Sequence, residues 1–285
     1  MIRKLTVLAS DIDGTLTVKG GNIMPLTRKY INELHDAGVL FGPASGRPID
    51  DNILNRAKQW KLDFDFDFAI GMNGGELYDG RTGELHKYYL LPKEKIRKIL
   101  TFLKPFDCNA IVYKDAYREV RCLRMDDFMR DSERRNHSHV IVGDIDTLSE
   151  YDTGKIEVQF RDSQRDGILQ AIRENQDPAW TYVQTYHQNG HCTFEFQDPR
   201  VNKGVALRAL CEKYSIPMEE VMAFGDQEND IGLLKTAGWG VCLSNGADAS
   251  KAVAQAVTEH DVTHDGVGHY LEDHVIHQTE IPGVR

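Results

Sequence analysis

The feature that most constrains the fold of this chain is an alternation. Short apolar runs at 4–10 (KLTVLAS), 39–45 (VLFGPAS) and 66–71 (FDFAIG) are separated by two stretches of helical spacing. The first carries Ile31, Leu34 and Ala37 and ends at Gly38; the second carries Ile53, Leu54, Ala57 and Trp60, with Pro48 expected in its first turn. Strand, helix, strand, helix, strand in that order predicts a parallel sheet with crossover helices. The same alternation resumes after Asp198. There 202–214, 229–238, 249–256 and 268–277 read as helices, and 221–226 and 239–244 as strands.

Between these stretches the pattern changes. A strand at 87–91, a helix at 92–104 and a hairpin at 108–114 and 116–123 are expected first. A polar connection at 125–138 follows, and then a strand at 155–160, a helix at 163–175 and a hairpin at 180–187 and 191–198. Two such units imply an antiparallel sheet with helices on one face. The fold class expected is therefore α/β: a parallel-sheet core from residues 1–86 and 199–285, with an inserted α+β (βαββ-βαββ) module at 87–198.

At 285 residues the chain can bury both cores. No apolar stretch reaches the length of a membrane span, and LTVLA runs into acids rather than a cleavage site, so a cytoplasmic protein with no membrane partner is expected. A net charge of −10 with no long Lys/Arg cluster argues against a nucleic-acid partner. The five cysteines are scattered and form no CxxC pair, which fits reduced packing residues. The histidines lack a metal-binding spacing and read as solvated.

The first apolar run ends in DIDGT. In an extended strand Asp11 and Asp13 point the same way, and two carboxylates so close need a cation or a shared proton. Gly14 allows a tight turn. The other strand ends carry complementary groups: Ser45, Gly46 and Arg47 after the second, Asp226, Asn229 and Asp230 after a later one. Lys203 opens the helix after the insertion, where backbone N–H groups favour an anion. Open parallel sheets bind ligands at these strand ends. Acids, a hydroxyl, an amide and a lysine on one rim describe a site for a hard divalent cation together with a phosphate. No Walker-type phosphate loop or dinucleotide fingerprint is present.

These residues resemble the four motifs of the haloacid dehalogenase superfamily of phosphohydrolases: DIDGT at 11–15, ASGR ending at Arg47, NKG around Lys203 and GDQEND at 225–230. NGG at 73–75 and the place of the insertion resemble the Cof-type IIB subgroup, which implies a Rossmann-like core with the inserted module at 87–198 as its cap domain. The resemblance implies Asp11 as nucleophile, Asp13 as general acid and base, and Lys203 as a catalytic cation. It implies Ser45, Gly46, Lys203 and Asn229 around phosphate, and Mg2+ at Asp11, the Asp13 carbonyl and Asp226, with Asp230 holding Lys203 or a metal-bound water. Candidates for contact with the leaving group are Arg47 and Asn73 from the core, and His187, His191 and Glu195 from the insertion.

The activity expected is Mg-dependent hydrolysis of small phosphorylated metabolites, sugar phosphates first, through an aspartyl phosphate. Two alternatives stay open: a phosphomutase or phosphotransferase of the same superfamily, and a regulatory module that binds phosphate without turnover. The sequence leaves the oligomeric state undecided.

Overall fold

The structure, a computed structural model, describes residues 2–18, 20–188, 190–276 and 280, with 186–188 as backbone only. The chain forms two compact units, Met1–His86 with Asn202–Arg285, and Lys87–Val201.

The first unit opens with β1 (Val7–Ser10), α1 (Pro25–Asp36) and β2 (Leu40–Pro43). β1 is buried throughout and lies parallel to β2, Val7 opposite Leu40 and Ser10 opposite Pro43. α1 turns Tyr30, Ile31 and Leu34 into the core, and Pro25 sits at its start, where a missing N–H is harmless. Its cap comes from far along the chain: Asp265 accepts from Leu26 N at 2.8 Å and from Thr27 N at 3.0 Å.

Helical spacing over 48–60 resolves into two short helices, α2 (Asp51–Leu54) and α3 (Arg56–Gln59). Pro48 lies before them, because Asp50 is the cap and accepts from Asn52 N at 2.9 Å. The expectation of a third parallel strand is corrected by β3 (Phe68–Gly71), which pairs antiparallel with β4 (Glu76–Asp79); β5 (Glu84–Lys87) completes a three-stranded sheet. One parallel bridge, Ala44 to Ile70, joins β3 to the end of β2. The ladder goes no further because the Asp67 carboxylate takes the Phe41 amide at 2.9 Å and the chain reverses over Met72–Gly74. Nothing in 76–87 signals a hairpin, since β5 is largely exposed and carries little apolar pattern.

In the second unit α4 (Lys93–Leu103) buries the expected stripe Ile96, Ile99, Leu100 and Leu103. β6 (Cys108–Asp115) and β7 (Glu119–Cys122) pair antiparallel. The stretch read as a polar connection holds α5 (Asp127–Asn136), and the residues after it, to which the sequence reading assigns no element, form β8 (His139–Val142) and α6 (Ile145–Leu148). Asp126 and Asp144 cap the two helices, accepting from Met129 N at 2.9 Å and Thr147 N at 3.0 Å. β9 (Lys155–Arg161), α7 (Arg165–Glu174), β10 (Thr181–Gln188) and β11 (His191–Gln197) follow, and the six strands run β10-β11-β9-β6-β7-β8. The sheet is mixed rather than antiparallel, because β8 lies parallel to β7. The first βαββ unit lacks its leading strand: Tyr89 takes a φ of 51°, which breaks extension, and Leu91 makes a single bridge to Thr153. Ile156, Val158, Phe160, Phe194 and Phe196 pack with the α4 stripe and with Ile168 and Ile172 of α7. The unit runs on to Val201 rather than ending at 198.

The chain then returns to the first unit as α8 (Lys203–Lys213), β12 (Val221–Gly225), α9 (Ile231–Thr236), β13 (Trp239–Cys242), α10 (Asp248–Lys251), β14 (Ala256–Val257) and α11 (Gly266–Leu271). The expected helix at 249–256 shrinks to α10, since 256–257 extend to pair with β13. A wider helical turn, Glu272–Ile276, continues α11, and His277 lies outside the described residues. The main sheet is parallel throughout, in the order β14-β13-β12-β1-β2. A Rossmann-like parallel-sheet core with an inserted α+β module is thus the fold.

Asp265 itself sits in the left-handed region at φ 56°, which Asp and Asn tolerate. Asp265→Ala should lower stability by about 1–2 kcal/mol in denaturant melts, through the lost α1 cap and two unpaired amides. Asp265→Asn should lose less; equal loss from both would contradict the capping role.

Candidate active site

β1 lies between β12 and β2, so the loops after these three strands open side by side. Asp11 N donates to Phe224 O at 2.9 Å and Ala44 N to Ser10 O at 2.8 Å, which ties the three loop starts together. Asp11, Ser45 and Asp226 are the residues so placed.

Asp11 is 7% exposed. Its Oδ1 accepts from Lys203 Nζ at 2.6 Å, and the same ammonium donates to Asp230 Oδ1 at 2.5 Å. No hydrogen bond from the described residues reaches Asp11 Oδ2. Burial would lower the affinity of Lys203 for its proton, but Asp11 and Asp230 outweigh it and hold the ammonium well above its ordinary range. Burial pushes the Asp11 carboxyl well up; Lys203 opposes this, while Asp230 and Asp226 add to it.

Asp226 hangs between two donors, Thr15 Oγ1 at 2.7 Å and Gln227 Nε2 at 2.9 Å. Burial first, and then Asp230 beside it, push its carboxyl up to about 6. Asp230 Oδ2 accepts from Asp226 N and Gln227 N, both at 2.9 Å, in a capping box with Gln227 that fixes the loop. One oxygen from each of Asp11, Asp226 and Asp230 lies within 4.8 Å of the others. Gly14, at φ 100°, passes so close that a β-carbon there would meet Asp226 Oδ2 at 2.5 Å.

Asp13 does not join this cluster. β1 ends at Ser10, and the turn over Ile12–Thr17 (Thr17 N to Ile12 O, 2.9 Å) breaks the extended geometry that would stack it on Asp11. Arg47 grips it instead, Nε to Oδ2 at 2.8 Å and Nη2 to Oδ1 at 3.0 Å. The acids that crowd Asp11 are therefore Asp226 and Asp230, from the other end of the chain.

Ser45 is buried, and its Oγ accepts from Arg47 N at 3.2 Å. Asn229 Nδ2 donates to Asn73 Oδ1 at 3.1 Å, and a β-carbon on Gly46 would lie 2.9 Å from that oxygen. The second unit's candidates are placed differently. Glu195 is buried within the sheet and accepts from buried Lys155 Nζ at 2.7 Å, which commits its carboxylate to an ion pair. His191 is exposed at the start of β11, and the His187 side chain lies outside the described residues. β10 and β11 form the hairpin between these two positions. Thr15 and Gln227 have no role in the sequence reading, although both stand inside motifs that it quotes; their signal is the need of a buried Asp226 for donors.

The family described as haloacid dehalogenase-like hydrolase matches residues 8–271. The chain belongs to that family. Among its relatives is 5-amino-6-(5-phospho-D-ribitylamino)uracil phosphatase YitU of Bacillus subtilis, 25% identical over 96% of this chain and 99% of that protein. Among solved structures, a haloacid dehalogenase-like hydrolase from Bacteroides thetaiotaomicron superposes with a TM-score of 0.78 at 22% identity, covering 94% of this chain and 99% of that one. The subclass IIB sugar phosphatase BT4131 gives 0.77 at 21% identity, covering 94% and 98%. This is an enzyme of the phosphatase class.

The raised Asp226 carboxyl has a stability consequence. A folded value of about 6 against an ordinary 3.8 means that the native state is favoured by protonation, so the metal-free protein loses stability as pH rises from 3.8 to 6 and carries the full cost above it. Asp226→Asn should therefore raise metal-free stability at neutral pH by on the order of 2–3 kcal/mol, measured by denaturant melts. A variant no more stable than wild type would refute this.

Proposed function

We propose that the chain is a magnesium-dependent phosphatase of small phosphorylated metabolites, sugar phosphates first among them, working through a phosphoryl group carried on Asp11. The observation that carries this reading is the buried Asp11 held by Lys203, with Asp226 within ligand distance on the neighbouring strand end. The acid set fits a hard divalent cation: of three clustered carboxylates the one buried ammonium bonds only Asp11 and Asp230, and Asp11 and Asp226 stay well above their ordinary range without further positive charge. Asp11, Asp226 and the Asp13 carbonyl would hold magnesium. When bound, it neutralises the repulsion between an anionic nucleophile and a phosphate dianion. Asp230, whose oxygens go to Lys203 and to two backbone amides, positions Lys203 and the loop rather than the metal.

In this reading Asp11 Oδ2 attacks phosphorus, and the bond to the leaving oxygen breaks as the new one forms. Asp13 protonates the leaving alkoxide, then takes a proton from the water that releases phosphate. Both Asp13 oxygens rest on Arg47, so the substrate's anion must draw the guanidinium away and Asp13 must take up a proton from solvent before it acts as the acid. Ser45, the Gly46 amide, Asn229 and Lys203 hold the phosphoryl oxygens. Two comparisons support a sugar-type ester: a relative named for a phospho-D-ribityl compound, and a structural neighbour titled a sugar phosphatase.

Asp11→Asn should reduce release of phosphate from an aryl phosphate by at least about a thousandfold. A mass-spectrometric label on wild type should map to Asp11; a label elsewhere removes the nucleophile assignment. Chelation should abolish turnover and added Mg2+ restore it, while full activity in chelator would exclude the metal role. Phosphate release from a panel of phosphorylated sugars and other metabolites tests the substrate class.

A further inference from the structure

The turn at 72–75 is strained and tightly held. Met72, Asn73 and Gly74 have successive positive φ values of 49°, 56° and 103°, a conformation that non-glycine residues seldom adopt. Its hydrogen bonds and packing reach three parts of the phosphate rim. Asn73 N donates to Ser45 O at 3.1 Å and Met72 N to Arg47 O at 2.9 Å. Gly74 lies against Asn202 O, where a β-carbon would come within 2.1 Å, one residue before Lys203. The Asn73 side chain, in a residue only 2% exposed, accepts from Asn229 Nδ2. Its Oδ1 is thus engaged by Asn229 rather than turned toward a leaving group.

We propose that Asn73 is a positioning residue: its Oδ1 takes one N–H of Asn229 and fixes the amide plane, so that the second N–H meets a phosphoryl oxygen. The strained backbone presents Oδ1 at that point, and Gly46 leaves room for it. This rests on the phosphate-binding reading above, and the test separates the two.

Asn73→Gly removes the amide and leaves a residue at home in the left-handed region, whereas Asn73→Ala removes the amide but keeps a β-carbon there, without the polar group by which Asn tolerates that backbone. Both should weaken binding of inorganic phosphate with Mg2+, measured by calorimetry, and raise KM for an aryl phosphate, about five- to tenfold. The change in kcat should be less than about twofold for Asn73→Gly. Asn73→Ala should lower Tm more than Asn73→Gly. The double variant Asn73→Gly with Asn229→Ala should bind phosphate no more weakly than Asn229→Ala alone, because Asn73 acts through that amide. Wild-type phosphate affinity in Asn73→Gly, or losses that multiply in the double variant, would overturn the proposal. Phosphate binding without turnover in wild type would overturn the phosphatase reading alone, and the affinities would still decide this one. A wild type that binds no phosphate would overturn both.

Discussion

The site depends on one buried ammonium. Lys203 is wholly withdrawn from solvent and spans Asp11 and Asp230. Taking an ion out of water costs several kcal/mol, which only close, well-directed partners offset. Two carboxylates at hydrogen-bond distance meet that need, and the lysine keeps its proton. The balance is nonetheless lopsided, since Asp226 lies in the same buried space and its donors, Thr15 and Gln227, are neutral. An excess of negative charge is built into the rim. In the function proposed above, that excess would attract a divalent ion, and the carboxylate assigned as nucleophile is part of it.

The parallel sheet makes this crowding possible at low local cost. β1 goes to β2 on one side, and only after the insertion does the chain lay β12 on the other. Ligand groups delivered by strand ends are set by the ladder, whose register is fixed by hydrogen bonds, and not by loop length. Glycines do the fine spacing where backbone and carboxylate nearly touch, as Gly14 does against Asp226.

Much of this is legible in the sequence alone. Apolar runs ending in Asp11, Ser45 and Asp226 marked three strand ends, because a parallel strand buried on both faces must be apolar until it stops. The expectation for Asp13 failed because strand periodicity was extended past Ser10 into a turn. β3 misled for a related reason: an apolar run reports burial and is silent on which neighbour it pairs with. α5 was hidden by its composition. A helix whose buried residue is Met129 alone has almost no stripe to read, although Asp126 supplies a cap signal. Glu195 looked available in the sequence because nothing local announces Lys155, forty positions earlier.

The order of strands also bears on how the chain is made on the ribosome. β1 emerges early with β2 to pair on one edge, but its other edge finds β12 only when residues beyond 220 have been translated. Until then an apolar strand offers open amides and carbonyls to any passing partner, while Lys87–Val201 can complete its own core. Asp11 meets Lys203 only at that late stage, so a truncated product holds this carboxylate without the cation that steadies it.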